Sequence, residues 1–159
     1  MSLTKQLTKH IREVHSGGNW SSVNLKDVLE GLSWQQATTQ VYAINTIATL
    51  VYHVNYYVSA VLKVLEGQAL DAHDKYSFVH PPIQCREDWV NLVNMTLADA
   101  EKFAALLELL PETKLWENLA DERYGTYYRN IQGIIEHTHY HLGQIVLLKK
   151  ILLQTDEKE

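Results

Sequence analysis

The chain has 159 residues, of which 46% are hydrophobic and 21% are charged, and its formal net charge is −5. These values are ordinary for one soluble globular domain spanning residues 1–159, and three prolines and seven glycines are few for an all-β fold with many turns. The longest basic run is the Lys149-Lys150 pair, whereas a duplex-DNA-binding protein is expected to carry a basic patch, so nucleic acid is not an expected partner.

Cysteine usage and the N-terminal segment both predict a cytoplasmic protein. Cys85 is the single cysteine, so an internal disulfide is excluded, and this fits a reducing compartment. The first ten residues contain no apolar run of the kind that signal peptides have.

Helical periodicity begins near the N-terminus. Residues 3–15 place their apolar side chains on one side of a helix, and the Gly17-Gly18 pair ends it. A loop follows, in which Asn24 is predicted to cap a short helix that extends to Glu30. Ser33 is predicted to cap a further short turn.

The second long helix is predicted from about Asn45 to Gly67, where glycine is a good C-terminal stop. Residues 41–65 are apolar enough to raise the question of a membrane span. Polar side chains are nevertheless spread along this segment: Asn45, His53, Asn55 and Lys63. Several polar groups at mid-bilayer would be costly, so a helix buried inside the protein is predicted instead of a membrane helix.

The rest of the chain adds two more long helices. Residues 68–84 are rich in poor helix formers and are predicted to be irregular. A third long helix is predicted over 86–110, a second long connection over 111–129, and a last helix over 130–153. Four long helices with two long connections predict an all-α four-helix bundle.

The last predicted helix carries a histidine pair, His137 and His141. Residues four apart lie one turn apart on the same face, so the two imidazoles can reach one divalent cation. With Ile131 at zero and a rotation of about 100° per residue, His137 lies at about 240° and His141 at about 280°, on one edge of the apolar stripe. His139 lies at about 80°, on the other edge, and is not expected to share the ion.

A third histidine, His53, lies on the second predicted helix. With Ile47 at zero it falls at about 240°, again on an edge of the apolar stripe. Three neutral imidazoles leave at least one position open on a metal ion, which is typical of catalytic sites. Histidines at core edges also occur as hydrogen-bonded packing residues, so spacing and phase leave both interpretations open. The other histidines are predicted not to be ligands: His10, His15, His73, His80 and His139.

Several segments spread over nearly the whole chain carry a family resemblance: 17–25, 51–57, 63–67, Ser77-Phe78, Pro81-Pro82, Asp88-Trp89, 124–126 and 133–144. On these segments the chain resembles the DinB-like family, the DinB/YfiT group of metalloenzymes. The stretch Gly-Ile-Ile-Glu-His-Thr-His-Tyr-His-Leu-Gly-Gln over 133–144 is the most specific of them.

The resemblance implies a metal site and an architecture. The family motif is one histidine on the second helix and His-x-x-x-His on the last, which matches His53, His137 and His141, and it binds a divalent metal such as zinc or nickel. Iron also suits three imidazoles. Family members are four-helix bundles with a variant of the up-and-down topology and often form homodimers. Many have Arg directly after the last ligand; this chain has Leu142, which removes support for a charged substrate group held there.

Two functions of different classes are considered. Some relatives in the family are thiol-dependent transferases or isomerases that use bacillithiol, mycothiol or glutathione. The leading hypothesis is therefore a divalent-metal-dependent enzyme, a thiol-dependent S-transferase or a hydrolase, acting on a low-molecular-weight thiol or another small molecule. The alternative is a non-catalytic helical bundle, dimeric or small-molecule-binding, in which the metal is vestigial or structural. Bound metal without turnover would favour the alternative.

Supporting roles are considered for four residues near the proposed ligands. Gln144 falls at about 220°, beside His137, where it either bonds a water on the metal or is a solvated amide. Tyr57, four residues after His53, either lines the pocket or packs against the core. Asp99 either accepts a hydrogen bond from a ligand imidazole or is a solvent-exposed side chain, and the second interpretation is preferred. Glu136 points away from the ligand pair and is not expected to be a general base.

Overall fold

Six α-helices form in the computed structural model, which describes residues 2–156. Their bounds are α1 Leu3–His15, α2 Leu25–Leu29, α3 Trp34–Thr38, α4 Ile47–Leu65, α5 Arg86–Leu109 and α6 Tyr127–Asp156. Three short 3-10 turns lie in the two long connections, over Asp74–Tyr76, Glu112–Trp116 and Glu122–Tyr124. Within residues 2–156 there is no β-strand, so the prediction of an all-α fold is confirmed.

The caps predicted for the two short helices are confirmed. The Asn24 side chain accepts a hydrogen bond from the Asp27 backbone N–H at 3.0 Å, at the start of α2. Ser33 and Gln36 form a reciprocal capping box at the start of α3, in which each side chain accepts from the other residue's backbone N–H. Such caps satisfy N–H groups that have no partner within the helix.

Helix α4 is buried over most of its length. It begins at Ile47 rather than at the predicted Asn45, because the side chain of Thr46 accepts a backbone hydrogen bond from the first turn. Its buried Asn55 is partnered inside the protein and donates to Asp99 at 3.0 Å. Within the described residues, no helix combines the length and the apolar character needed to cross a bilayer.

Helix α6 begins earlier than the predicted Asn130. The helix begins at Tyr127, directly after Thr126. The Thr126 hydroxyl oxygen accepts a hydrogen bond from the Arg129 backbone N–H at 3.2 Å and so caps the helix. The cap therefore lies inside a segment that was predicted to be a connection. The helix continues past its predicted end to Asp156, which makes it the longest of the six.

The four long helices pack around two sets of buried side chains. Helix α1 contacts α5 and α6, and α4 also contacts α5 and α6. One set includes Val51, Trp89 and Ile145 and is closed at its end by α2 and α3. Trp89 fixes that end, since its indole N–H donates to the Leu32 carbonyl at 3.1 Å. The other set contains Phe103 and includes side chains from the first half of α6.

A buried histidine at the end of α1 gives the fold a pH dependence. Burial lowers the pKa of His15 from 6.5 to about 4, and among the described residues only its Nδ1 has a partner, the Ile11 carbonyl oxygen at 2.8 Å. Between pH 6.5 and pH 4 the unfolded chain therefore binds a proton at this residue that the folded chain does not bind. Stability contributed by the neutral side chain is consequently lost as the pH falls through this window.

We expect His15→Leu to flatten the pH dependence of stability. In the wild type this histidine makes the free energy of unfolding fall by about 1 kcal/mol for each pH unit between about pH 6 and about pH 4, and the leucine variant lacks that contribution. Urea unfolding of both proteins at pH 7 and pH 5 measures the difference. Equal slopes in the two proteins would show that His15 is not the group responsible.

Candidate metal centre

Three histidines from two helices lie together between α4 and α6. His137 and His141 are one turn apart on α6, and their ring centroids are 4.5 Å apart. His53 on α4 faces both of them, with ring centroids 4.8 Å from each. One ring nitrogen from each histidine lies within 4.8 Å of the others, and the Nε2 atoms of His53 and His137 are 3.0 Å apart. The three residues selected by spacing and helical phase are thus brought together.

The hydrogen bonds of two of these rings leave their Nε2 atoms available as ligands. The Nδ1 of His53 is 3.3 Å from the Ser77 carbonyl oxygen, and the Nδ1 of His141 is 2.8 Å from the Oε1 of Gln144. Both partners are acceptors, so each Nδ1 carries the proton and each Nε2 keeps its lone pair. An outer partner that fixes the tautomer in this way is typical of metal-ligating histidines.

The environment of the cluster favours the neutral form of His53 and His137. Burial, followed by the nearby His141 and His53, lowers the pKa of His137 from 6.5 to about 4. Burial also lowers the pKa of His53, and the proximity of His141 adds to that effect. Neutral imidazole is the form that binds a metal ion, so both shifts act in favour of metal binding by His53 and His137.

Aromatic side chains enclose one side of the cluster. The Phe78 ring stacks on the His53 ring with centroids 3.7 Å apart. Tyr57 meets the rings of His53 and His137 edge-on, at 5.3 and 5.1 Å, and its hydroxyl donates to Asp74 at 2.8 Å. Burial raises the pKa of Tyr57, so this hydroxyl stays protonated at neutral pH. These rings hold the imidazoles in place and shield them from water on that side.

Two of the four residues for which the sequence suggested supporting roles, Asp99 and Glu136, do not belong to the cluster. Asp99 accepts a hydrogen bond from Asn55 rather than from a ligand imidazole. Glu136 is exposed and accepts from Gln132 at 3.3 Å, and it is not one of the grouped ligand residues. Over the part of the chain that is described, His53, His137 and His141 form the one group of three or more residues placed to hold a metal.

Some contacts of the cluster were not predicted from the sequence. Gln144 was expected beside His137 but bonds His141, three residues before it. The Ser77 carbonyl and the Phe78 ring were not predicted to contact His53, because the connection that carries them has no periodicity from which a contact could be inferred. Leu142, which follows the last histidine, is buried in the core and cannot contact a substrate.

An open groove adjoins the cluster between α4 and the first half of α6. Its volume is about 700 Å³, and His137 and Tyr57 form one end of it. Volumes of this size are ordinary for sites that bind small molecules. The cluster is therefore closed by aromatic side chains on one side and reached from a groove on another.

The donor set fits a divalent transition metal. Three imidazole nitrogens suit zinc, nickel, iron or copper, and hard oxygen-seeking ions such as magnesium are poorly matched to them. No family model, no curated protein and no solved structure matches this chain in comparisons with known proteins. The candidate site is accordingly supported by the geometry of its own residues.

Proposed function

We propose that this chain is a metal-dependent enzyme of the DinB-like type, a four-helix bundle in which His53, His137 and His141 hold one divalent ion. Zinc and nickel are the first candidates, and iron is the next. The observation that carries the proposal is the convergence of three imidazoles from α4 and α6, with ring nitrogens within 4.8 Å of one another. We further propose that the protein is cytoplasmic and forms a homodimer.

The surroundings of the site favour catalysis over a purely structural ion. Structural zinc sites are usually closed by four protein ligands, whereas catalytic sites have three and keep a position for substrate or water. Here three histidines are present, and a groove of about 700 Å³ leads to His137. The groove gives a small molecule access to the position that the three ligands leave.

Neighbouring residues fix the positions and tautomers of the ligand imidazoles in the absence of a substrate. A divalent ion held here would favour the deprotonated form of a thiol or a water molecule that reaches it. The Ser77 carbonyl and Gln144 fix the tautomers of two imidazoles, and Tyr57 and Phe78 exclude water on one side. Ligand positions set in advance by packing and hydrogen bonds need little reorganisation during the reaction.

The proposed reaction is the transfer of a low-molecular-weight thiol to an electrophile. The thiol loses its proton to solvent, its sulfur forms a bond to the electrophilic carbon, and the leaving group departs as an anion with the electrons of its bond to that carbon. Zinc- or nickel-loaded protein incubated with a thiol and an alkyl halide should form the thioether faster than the metal-free protein. A rate unaffected by a chelator would remove the thiol-transfer assignment.

A structural role for the ion is the second candidate. It is favoured by the burial of His53 and His141, which are only 5% and 7% exposed and lie on different helices, so that an ion would join α4 to α6. In that case chelation would lower the melting temperature strongly, and metal-loaded protein would show no turnover with any thiol. A small thermal shift together with turnover would support the catalytic role.

The hydrogen bond from Gln144 to His141 gives a test of the outer partners. We expect Gln144→Leu to weaken metal binding about tenfold to a hundredfold, because the His141 ring loses the acceptor that fixes its tautomer. Gln132→Leu is the matched control, since Gln132 lies on the same helix and, within residues 2–156, its side chain bonds Glu136 and none of the three histidines. Competition with a chromogenic chelator measures both affinities, and equal loss in the two variants would contradict the role of Gln144.

A further inference from the structure

The groove beside the histidines extends along α6 towards its N-terminus. It is lined on α6 by residues from Tyr128 to His137 and on α4 by Tyr57 and Val61. Arg129 and His137 both line it, and they are eight positions apart, which is about 12 Å along the helix axis. The groove is therefore long enough for an extended small molecule that reaches both ends.

Arg129 is the cationic residue of this groove. Across the described chain, its guanidinium forms no ion pair and no hydrogen bond with a protein group. Gly125 leaves room for its stem, since a Cβ placed there would lie 2.7 Å from the Arg129 Cδ. The φ of Gly125 is +75°, a conformation that glycine adopts without strain. The backbone before α6 is thus shaped to let this arginine reach the groove.

The two ends of the groove carry side chains of opposite charge. Glu136 lies seven residues after Arg129, so both are on nearly the same face of α6, with the carboxylate at the end near His137. An anion is attracted to the Arg129 end and repelled from the Glu136 end. With one arginine and one glutamate facing it, the groove suits a singly charged carboxylate better than a doubly charged phosphate.

We propose that this groove binds a small molecule with a carboxylate at one end, held by Arg129, and with its reacting group at the other end, beside His137. The position of the reacting group rests on the proposed function, whereas carboxylate binding by Arg129 does not. Guanidinium and carboxylate form paired, charge-assisted hydrogen bonds, which gives the contact its selectivity. Arg129 is thus a specificity residue for the ligand and not a catalytic residue.

A glycine forms part of the groove wall and provides a steric test. Gly133 lines the groove in the interior of α6, and a Cβ added there meets no atom within 4 Å. A large side chain at this position would project into the space for the ligand. Gly143 is its matched control, because it lies in the same helix, has the same open surroundings and does not line the groove.

The test measures binding by calorimetry with two probes, ω-mercaptooctanoate and the corresponding alcohol, ω-mercaptooctanol. Wild-type protein should bind the acid about tenfold more tightly than the alcohol. Arg129→Gln should abolish that preference, and Arg129→Lys should restore part of it. Arg123→Gln removes the same charge from an exposed residue outside the groove and should leave the preference unchanged. Gly133→Leu should weaken both probes more than tenfold, and Gly143→Leu should not.

Measurements with and without zinc separate this proposal from the proposed function. If the acid preference depends on Arg129 in the metal-free protein as well, carboxylate binding stands even where no thiol transfer is found. If the loaded protein binds acid and alcohol equally, or if neither probe binds in either form, the assignment of Arg129 is overturned. Metal-dependent thiol transfer observed alongside equal binding would leave the metal centre intact and remove only the carboxylate site.

Discussion

Replacing His137 with alanine is expected to lower the affinity for zinc or nickel more than a hundredfold while the protein remains folded. His137 supplies one of three imidazoles, and even the loss of an outer partner of a ligand costs tenfold to a hundredfold in affinity. The side chain is half-buried at the end of a groove rather than inside the core, so its removal leaves the packing of α6 largely intact. Metal content after equilibrium dialysis, together with circular dichroism, measures both effects.

A neighbouring histidine provides the control for this variant. His139 lies two residues further along α6, is exposed and is not part of the cluster, so His139→Ala should bind metal as the wild type does. Equal metal content in the His137→Ala protein and the wild type would contradict the proposed ligand set. Equal loss in the two variants would indicate binding by scattered surface histidines instead.

Replacing Phe103 with alanine is expected to lower the free energy of unfolding by about 3 to 5 kcal/mol, the usual cost of emptying a buried aromatic position. The Phe103 side chain is fully buried on α5 and packs in the set of core residues that also includes side chains from the first half of α6. Removing the ring leaves a cavity in this part of the core, which the helices fill only in part. Equilibrium unfolding in urea at pH 7 measures the change.

Leu109 is the matched control for the Phe103 variant. It lies at the end of the same helix and is 80% exposed, so Leu109→Ala should change the free energy of unfolding by less than about 0.5 kcal/mol. A similar loss in both variants would contradict the packing of α5 described above. A small loss at Phe103 would mean that this side chain does not fill the core where α5 packs against α1 and α4.

Much of the fold was predictable because helix periodicity is a strong local signal. The apolar stripe of α5, including Trp89, Phe103 and Leu107, is buried as its spacing predicts. The same arithmetic placed His53, His137 and His141 on core borders, and the structure brings these borders together. Phase within each helix is fixed by the chain itself, so it can be calculated without knowledge of neighbouring helices.

The remaining features depend on tertiary contacts that periodicity does not encode. The start of α6 was predicted too late because its cap, Thr126, lies in a stretch of turn-forming and aromatic residues. Ser77 and Phe78 reach His53 from an irregular connection, whose path is set by packing and not by its own pattern. The groove between α4 and α6 likewise depends on how closely two helices approach, which neither helix specifies alone.

The proposed ligand set can be tested most directly by X-ray absorption spectroscopy at the zinc edge, on tag-free protein reconstituted with one equivalent of the metal. We predict a first shell containing three imidazole nitrogens at about 2.0 to 2.1 Å, completed by a light atom from solvent. The His137→Ala protein should lose this spectrum. A first shell with fewer than three imidazoles in the wild type would contradict the three-histidine centre.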